Sequence, residues 1–218
     1  MEGLPPDRPR TPGGTSVTYT RLVLLRHGQT DDNLAARMQG HGDTPLNETG
    51  RTQARAAAAA LREREFSAIY SSDLSRATET AHIVAEPHGL PVIQDARLRE
   101  IDLGSWSGRL FKDVAAEQPD FVSDYLAGKD FRRSPTGETM AELMQRAMPA
   151  IDDIVAAHLN EQVLVVSHGL VTLHLILELL GQPDDYRMLG AMGNACYSEV
   201  GVAADRNWLN CHNVSPHS

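Results

Sequence analysis

The stretch LVLLRHGQTDDN, residues 22 to 33, sets four apolar side chains directly before Arg26, His27 and Gly28. An apolar run without polar alternation reads as a strand buried on both faces, the form strands take in a parallel sheet covered by helices. Such a strand has no reason of its own to finish in a guanidinium beside an imidazole. The pair points to an anion beyond the strand's carboxyl end, where α/β sheets bind their ligands. QVLVVSHG, residues 162 to 169, repeats the arrangement with a wholly apolar strand, then His168 and Gly169. Each glycine is expected to let the backbone turn sharply and approach a ligand closely. A helix follows His168 directly, so its N-terminal amides are expected to favour an anion too.

Outward from these two strands, helical and strand patterns alternate. A strand is expected over Arg21–Arg26, and a helix opened by Asn47 and Glu48 runs through TGRTQARAAAAALRERE. A second strand is expected at Ala68–Ser72, a helix at Asp73–Pro87, and a third strand across PVIQDARL that arrives at Glu100. Residues 109–128 read as short helices over loops, with Pro119 and Gly128 as breakers. A long helix over Thr139–Leu159 carries the apolar stripe Met140, Leu143, Met144, Ala147, Ile151, Ile154 and Val155, with Pro149 expected to kink it. LVTLHLILELLG is a buried helix closed by Gly181, and two late strands are expected at Ala195–Val202 and Trp208–Val214. This alternation implies a three-layer α/β/α fold with a mainly parallel central sheet. Residues 1–20 read as a flexible tail and 21–218 as a single domain.

Composition narrows the function. The 218 residues carry a formal net charge of −9, from 20 Lys and Arg against 29 Asp and Glu. General nucleic-acid binding leaves a basic footprint that is missing here, so any anion site must be local. Cys196 and Cys211 make neither a disulfide framework nor a metal cluster and are expected to be reduced thiols. No apolar run is long enough to span a bilayer, and the N-terminus lacks a signal-peptide apolar segment, so a cytoplasmic protein is expected.

Most of the nine histidines are expected to be ordinary satisfied polar residues, namely His41, His82, His88, His158, His174, His212 and His217. His27 and His168 stand apart because they share the strand–His–Gly context. A Ser-His-Asp hydrolase would need a G-x-S-x-G turn, and zinc would call for an H-E-x-x-H helix or a cysteine pair. Neither pattern occurs, so no metal is expected.

RHGQT after a buried strand, SSDLSRATETA, LREIDLGSWSG and VVSHG occur in this order over residues 21 to 214. Together they resemble the histidine phosphatase superfamily, in its phosphoglycerate-mutase-like branch. The resemblance implies that His27 is a nucleophile taking the phosphoryl group, with Arg26, Arg76 and His168 binding its oxygens. Asn33, Gln39 and Gly40 match positions that contact phosphate or substrate from the first loop, and Gly169 matches the turn after the second histidine. Glu100 would protonate the leaving alkoxide and then activate water. Asp102 reads as structural, Arg97 and Arg99 as surface charges, and Arg132–Arg133 as a solvated pair. A small helical cap around residues 105–135 would select the leaving group. No metal or organic cofactor is implied; the expected partner is a small phosphomonoester, with neither nucleic acid nor membrane, and a homodimer is expected because relatives often are dimers.

Mutases of the branch carry a tyrosine and a lysine three and eleven residues after the glutamate, where this chain has Leu103 and Phe111. Fewer cations would hold a bisphosphorylated intermediate less well, so hydrolysis is favoured over the mutase reaction and over an inactive phosphate-binding module. RMQGHGDTPLNETGRTQA and LGAMGNACYSEV are similar to a group of actinobacterial members that dephosphorylate glucosyl-3-phosphoglycerate.

Overall fold

A computed structural model describes residues 18–183 and 188–216. The expected tail lies outside the described residues except for its last three positions, of which Tyr19 and Thr20 already belong to the first strand. Six strands form one sheet: β1 (Tyr19–Arg26), β2 (Ala68–Ser71), β3 (Val92–Gln94), β4 (Gln162–Ser167), β5 (Tyr197–Ala203) and β6 (Asn207–Val214), in the order β3-β2-β4-β1-β5-β6. β1, β2, β3 and β4 run parallel, while β5 lies antiparallel to β1 and β6 antiparallel to β5. The sheet is therefore mainly parallel, as the alternation implied.

Side chains on a strand alternate between faces, and this splits the core in two. Leu22, Leu24, Val163 and Val165 face α6 (Met140–Ala157) and α7 (Gly169–Leu179), where they meet Leu143, Ala147, Ile151 and Leu175. Val23, Leu25, Leu164 and Val166 face the other way, against Ala57 and Leu61 of α2 (Glu48–Leu61) and Ala77 and Ala81 of α3 (Ser75–Ala85). Both faces of β1 and β4 are thus sealed, which is why their sequences lack polar alternation.

Local chemistry sets the boundaries. Asn47 caps α2 by accepting from the Gly50 amide at 2.9 Å. Thr139 and Glu142 form a reciprocal capping box at the start of α6, which runs unbroken past Pro149. The third strand is shorter than expected because Asp95 intervenes. Its carboxylate accepts from the Arg97 amide at 2.8 Å and turns Ala96–Leu98 into a 3-10 turn, leaving three residues on the sheet edge. In the segment after Glu100, α4 (Phe111–Glu117) and α5 (Pro119–Leu126) pack around Phe121, whose ring centroid lies 5.2 Å from Trp106, 5.2 Å from Phe111 and 5.8 Å from Phe131. Pro119 does not only break α4; it begins α5. Among the described residues no helix is long and apolar enough to cross a membrane.

Candidate active site

β1 and β4 are parallel neighbours in a register that sets Arg26 opposite Ser167. The next residue of each strand is therefore His27 and His168, side by side beyond the carboxyl edge. Their ring centroids are 5.2 Å apart, and 3% of His27 and none of His168 is exposed. Nδ1 of His27 lies 2.6 Å from the Gly28 carbonyl. A carbonyl only accepts, so Nδ1 carries the hydrogen and Nε2 keeps its lone pair. Burial, with Arg26 and Arg76 nearby, holds the His27 pKa well below the ordinary 6.5. The neutral, nucleophilic form is thus the resident one at neutral pH.

Arg76 projects from the first turn of α3 and is 1% exposed. It donates through Nη1 to the Gly42 carbonyl at 2.6 Å and through Nη2 to the Gly40 carbonyl at 2.8 Å. Arg26 donates through Nη1 to the Met192 carbonyl at 2.6 Å. These carbonyls aim the guanidinium groups without neutralising them. Three buried nitrogens of this site then have no hydrogen-bond partner: Nε of Arg26, Nε of Arg76 and Nδ1 of His168. Buried polar nitrogens are rarely left so, and two guanidinium N–H groups with an imidazole nitrogen beside His27 can together meet an anion with several acceptor oxygens.

The first loop supplies Asn33 and Gln39, and Thr30 organises both. Thr30 caps the short helix α1 (Asp31–Leu34), with Asn33 Oδ1 taking the Thr30 amide at 3.1 Å. The Thr30 hydroxyl lies 3.0 Å from Gln39 Oε1. With their oxygens occupied in this way, the two amide groups have their nitrogens to offer as donors. Gly40 adopts φ +53°, and a Cβ there would press on Leu103 at 2.9 Å, so this turn needs glycine.

Two expectations for the strand-end glycines change in detail. Neither Gly28 nor Gly169 has a positive φ among the described backbone. Gly28 is small because a Cβ would strike the Gly50 carbonyl of α2, and a Cβ on Gly169 would stand 3.2 Å from Arg26 Nε. They serve close approach rather than a left-handed turn. The N-terminus of α7 is also occupied differently from expectation. Glu100 places Oε2 3.0 Å from the Leu170 amide and Oε1 3.1 Å from the Val171 amide. The group resting on this helix end is the protein's own Glu100 carboxyl, both oxygens accepting from α7 amides.

Several positioning residues carried no recognisable signal in the sequence. Arg146 of α6 donates to the carbonyls of Arg97, Arg99 and Glu100 at 2.8, 2.9 and 2.6 Å, pinning the backbone that presents Glu100. His41, expected to be an unremarkable polar residue, has Nε2 2.8 Å from the Glu100 carbonyl. Asn194 donates to the His27 carbonyl at 3.2 Å, and Thr80 Oγ1 accepts from the Gly28 amide at 3.1 Å. Arg97 and Arg99 are held in ion pairs with Asp95 and Asp73.

The Arg132–Arg133 pair divides. Arg132 is paired with Glu142 at the surface, whereas Arg133 is 5% exposed and stacks over the Phe131 ring at 4.1 Å. The solvated-pair expectation fails for Arg133 because an aromatic face substitutes for water. Arg133 also lines a cavity of about 180 Å³ between α5, α6 and α7, together with Tyr125, Lys129, His174 and Glu178. Among the described residues no group of three or more His, Cys, Asp or Glu side chains is arranged to hold a metal ion.

Residues 22–215 match the model of the histidine phosphatase superfamily, branch 1. The chain is 39% identical over 216 residues to the glucosyl-3-phosphoglycerate phosphatase of Mycolicibacterium vanbaalenii, covering 89% of this chain and 95% of that one. It is 37% identical to a probable phosphoglycerate mutase GpmB of Yersinia pestis, over 83% of this chain and 84% of the relative. The solved structure of mycobacterial glucosyl-3-phosphoglycerate phosphatase Rv2419c complexed with VO3 superimposes with a TM-score of 0.81 at 39% identity, covering 89% of this chain and 99% of that one. On the strand-end histidines, the arginines beside them and the extent of these matches, the chain belongs to the histidine phosphatase superfamily, branch 1.

Proposed function

We propose that the protein is a phosphomonoester hydrolase that works through a phosphohistidine on His27, with glucosyl-3-phosphoglycerate as its substrate. The observation that carries the reading is the trio of unpartnered buried nitrogens on Arg26, Arg76 and His168 around a neutral imidazole with a free lone pair. A phosphoryl group supplies several acceptor oxygens at once, and its charge builds up on them in the transition state. Nε2 of His27 forms the bond to phosphorus while the ester P–O bond breaks, and Glu100 gives its proton to the leaving oxygen. Water then attacks phosphorus, the N–P bond breaks, and Glu100 takes the proton from water. Asn33, Gln39 and the backbone at Gly40 and Gly169 border the phosphate from the two loops. Residues 105–135 serve as the cap over the leaving group, with Arg133 as the buried cation available to its far end. The proposed setting is cytoplasmic.

The substrate follows the relatives named for that activity, two of which cover more than four fifths of this chain at 39 to 40% identity. A mutase reading has the probable GpmB relatives in its favour. Against it stands Leu103, 7% exposed and packed on Gly40, where the mutase pattern has a tyrosine. A closed, cation-rich lid that protects the phosphohistidine from water has little to build on there. The test is a panel of phosphomonoesters including glucosyl-3-phosphoglycerate and both phosphoglycerates, with bisphosphoglycerate supplied. Inorganic phosphate release should far exceed isomerisation, and fastest release should come from the glucosylated compound. Isomerisation outrunning release would assign the mutase reaction instead.

A further inference from the structure

The neutral imidazole of His168 has one N–H, and the nitrogen that carries it decides whether the ring can bind an anion. Nε2 lies 2.8 Å from Ser72 Oγ, while Nδ1 is buried without a partner. Ser72 Oγ accepts from the Leu74 amide at 3.3 Å, and among the described residues Nε2 is the acceptor within reach of its O–H. With the hydrogen on Nε2, the ring donates to Ser72, the buried hydroxyl hydrogen has no acceptor, and Nδ1 presents a lone pair to the site. With the hydrogen on Nδ1, Ser72 donates to Nε2 and the group left over is an N–H donor. The first arrangement thus leaves two buried groups unmet, the hydroxyl hydrogen and the Nδ1 lone pair, and the second leaves one, an N–H that an anion's oxygen can meet, so the second is favoured.

We propose that Ser72 is a positioning residue for phosphoryl transfer: its hydroxyl donates to His168 Nε2 and so holds the hydrogen on Nδ1, aimed at a phosphoryl oxygen. The inference rests on the hydrolase reading above for the identity of that oxygen. Ser72 is itself fixed, since its amide donates to the Val166 carbonyl at 3.0 Å and its carbonyl accepts from Thr78 Oγ1 at 3.0 Å. Burial and the neighbouring Arg76 keep the His168 pKa well below 6.5, so a tautomer, not a positive charge, must supply the donor. One turn before α3 thus orients His168 while its helix delivers Arg76.

Nitrogen-15 NMR of histidine-labelled protein, with His168 identified by its loss in H168N, should show a protonated Nδ1 and an unprotonated Nε2. In Ser72→Ala the two tautomers should mix, kcat for p-nitrophenyl phosphate should drop on the order of tenfold to a hundredfold with little change in KM, and Ser72→Thr should restore most of it. Asn places its amide nitrogen near the Nδ1 position and Gln near Nε2. H168N should therefore retain more activity than H168Q, and S72A should add little to H168N. A wild-type spectrum with hydrogen on Nε2, an S72A enzyme of wild-type kcat, or H168Q more active than H168N would each overturn the proposal. If wild-type protein hydrolyses no phosphomonoester, the hydrolase reading falls, and the tautomer remains decided by the spectrum. If S72A does not fold, the H168N and H168Q pair decides.

Discussion

Arg26 of β1 and Ser167 of β4 face each other in register, and that single pairing brings His27 and His168 to ring centroids 5.2 Å apart. Two segments separated by most of the chain become one site because each strand ends at the same level of the sheet. The consequence is testable on the side chains that surround the pair.

Arg76→Ala and His168→Ala should each lower kcat for a phosphomonoester on the order of a hundredfold or more, the usual result of removing one charge-stabilising donor. Both should also weaken competitive inhibition by inorganic phosphate. Steady-state kinetics with phosphate as inhibitor measures the two together. Near-normal turnover in either variant would make the residue structural.

Glu100→Gln keeps the shape of the side chain and its acceptor oxygen for an α7 amide, yet removes proton transfer. Release from alkyl phosphates, which need a protonated leaving group, should slow far more than release from p-nitrophenyl phosphate. A leaving-group series reads this directly, and equal slowing across the series would remove Glu100 from the acid role.

The buried histidines also tie stability to pH. His27 and His168 have folded pKa values well below 6.5, and His174 is lowered to about 4, chiefly by burial and then by Arg133. The unfolded chain therefore binds more protons than the folded one as pH falls below about 6.5. The stability these rings contribute is complete above that value and is lost as pH drops toward their folded pKa values. Thermal unfolding should show Tm falling from about pH 6.5 downward, with a shallower fall in His174→Gln and a smaller fall with phosphate bound. A Tm that rises on acidification over this range would contradict the assignment of neutral buried rings.

The paired strands were legible in the sequence because burial on both faces removes polar alternation, and this pattern persists however the loops run. Arg76 and Glu100 could be placed only through the family resemblance, since neither sits in a periodic context. Thr30, Ser72, Thr80 and Asn194 were not legible at all. Each is a small polar residue with no periodic signal, and three of the four meet partners distant in sequence: Ser72 meets His168 across 96 residues, Thr80 meets Gly28 across 52 and Asn194 meets Asn33 across 161. Side chains that compete for backbone amides leave no periodic trace either: Asp95 takes the Arg97 amide and shortens the third strand, and Glu100 takes the helix end expected to favour an anion. Arg133 looked solvated because a sequence does not reveal that Phe131 lies beneath it.

A covalent intermediate on His27 can be trapped directly. Rapid-quench of the enzyme with a phosphorus-labelled phosphomonoester, followed by peptide mapping, should find label on His27 that is stable to alkali and lost in acid, and none in His27→Ala, which should have no measurable turnover. Label that survives acid, label on another residue, or an unlabelled enzyme caught during turnover would contradict it.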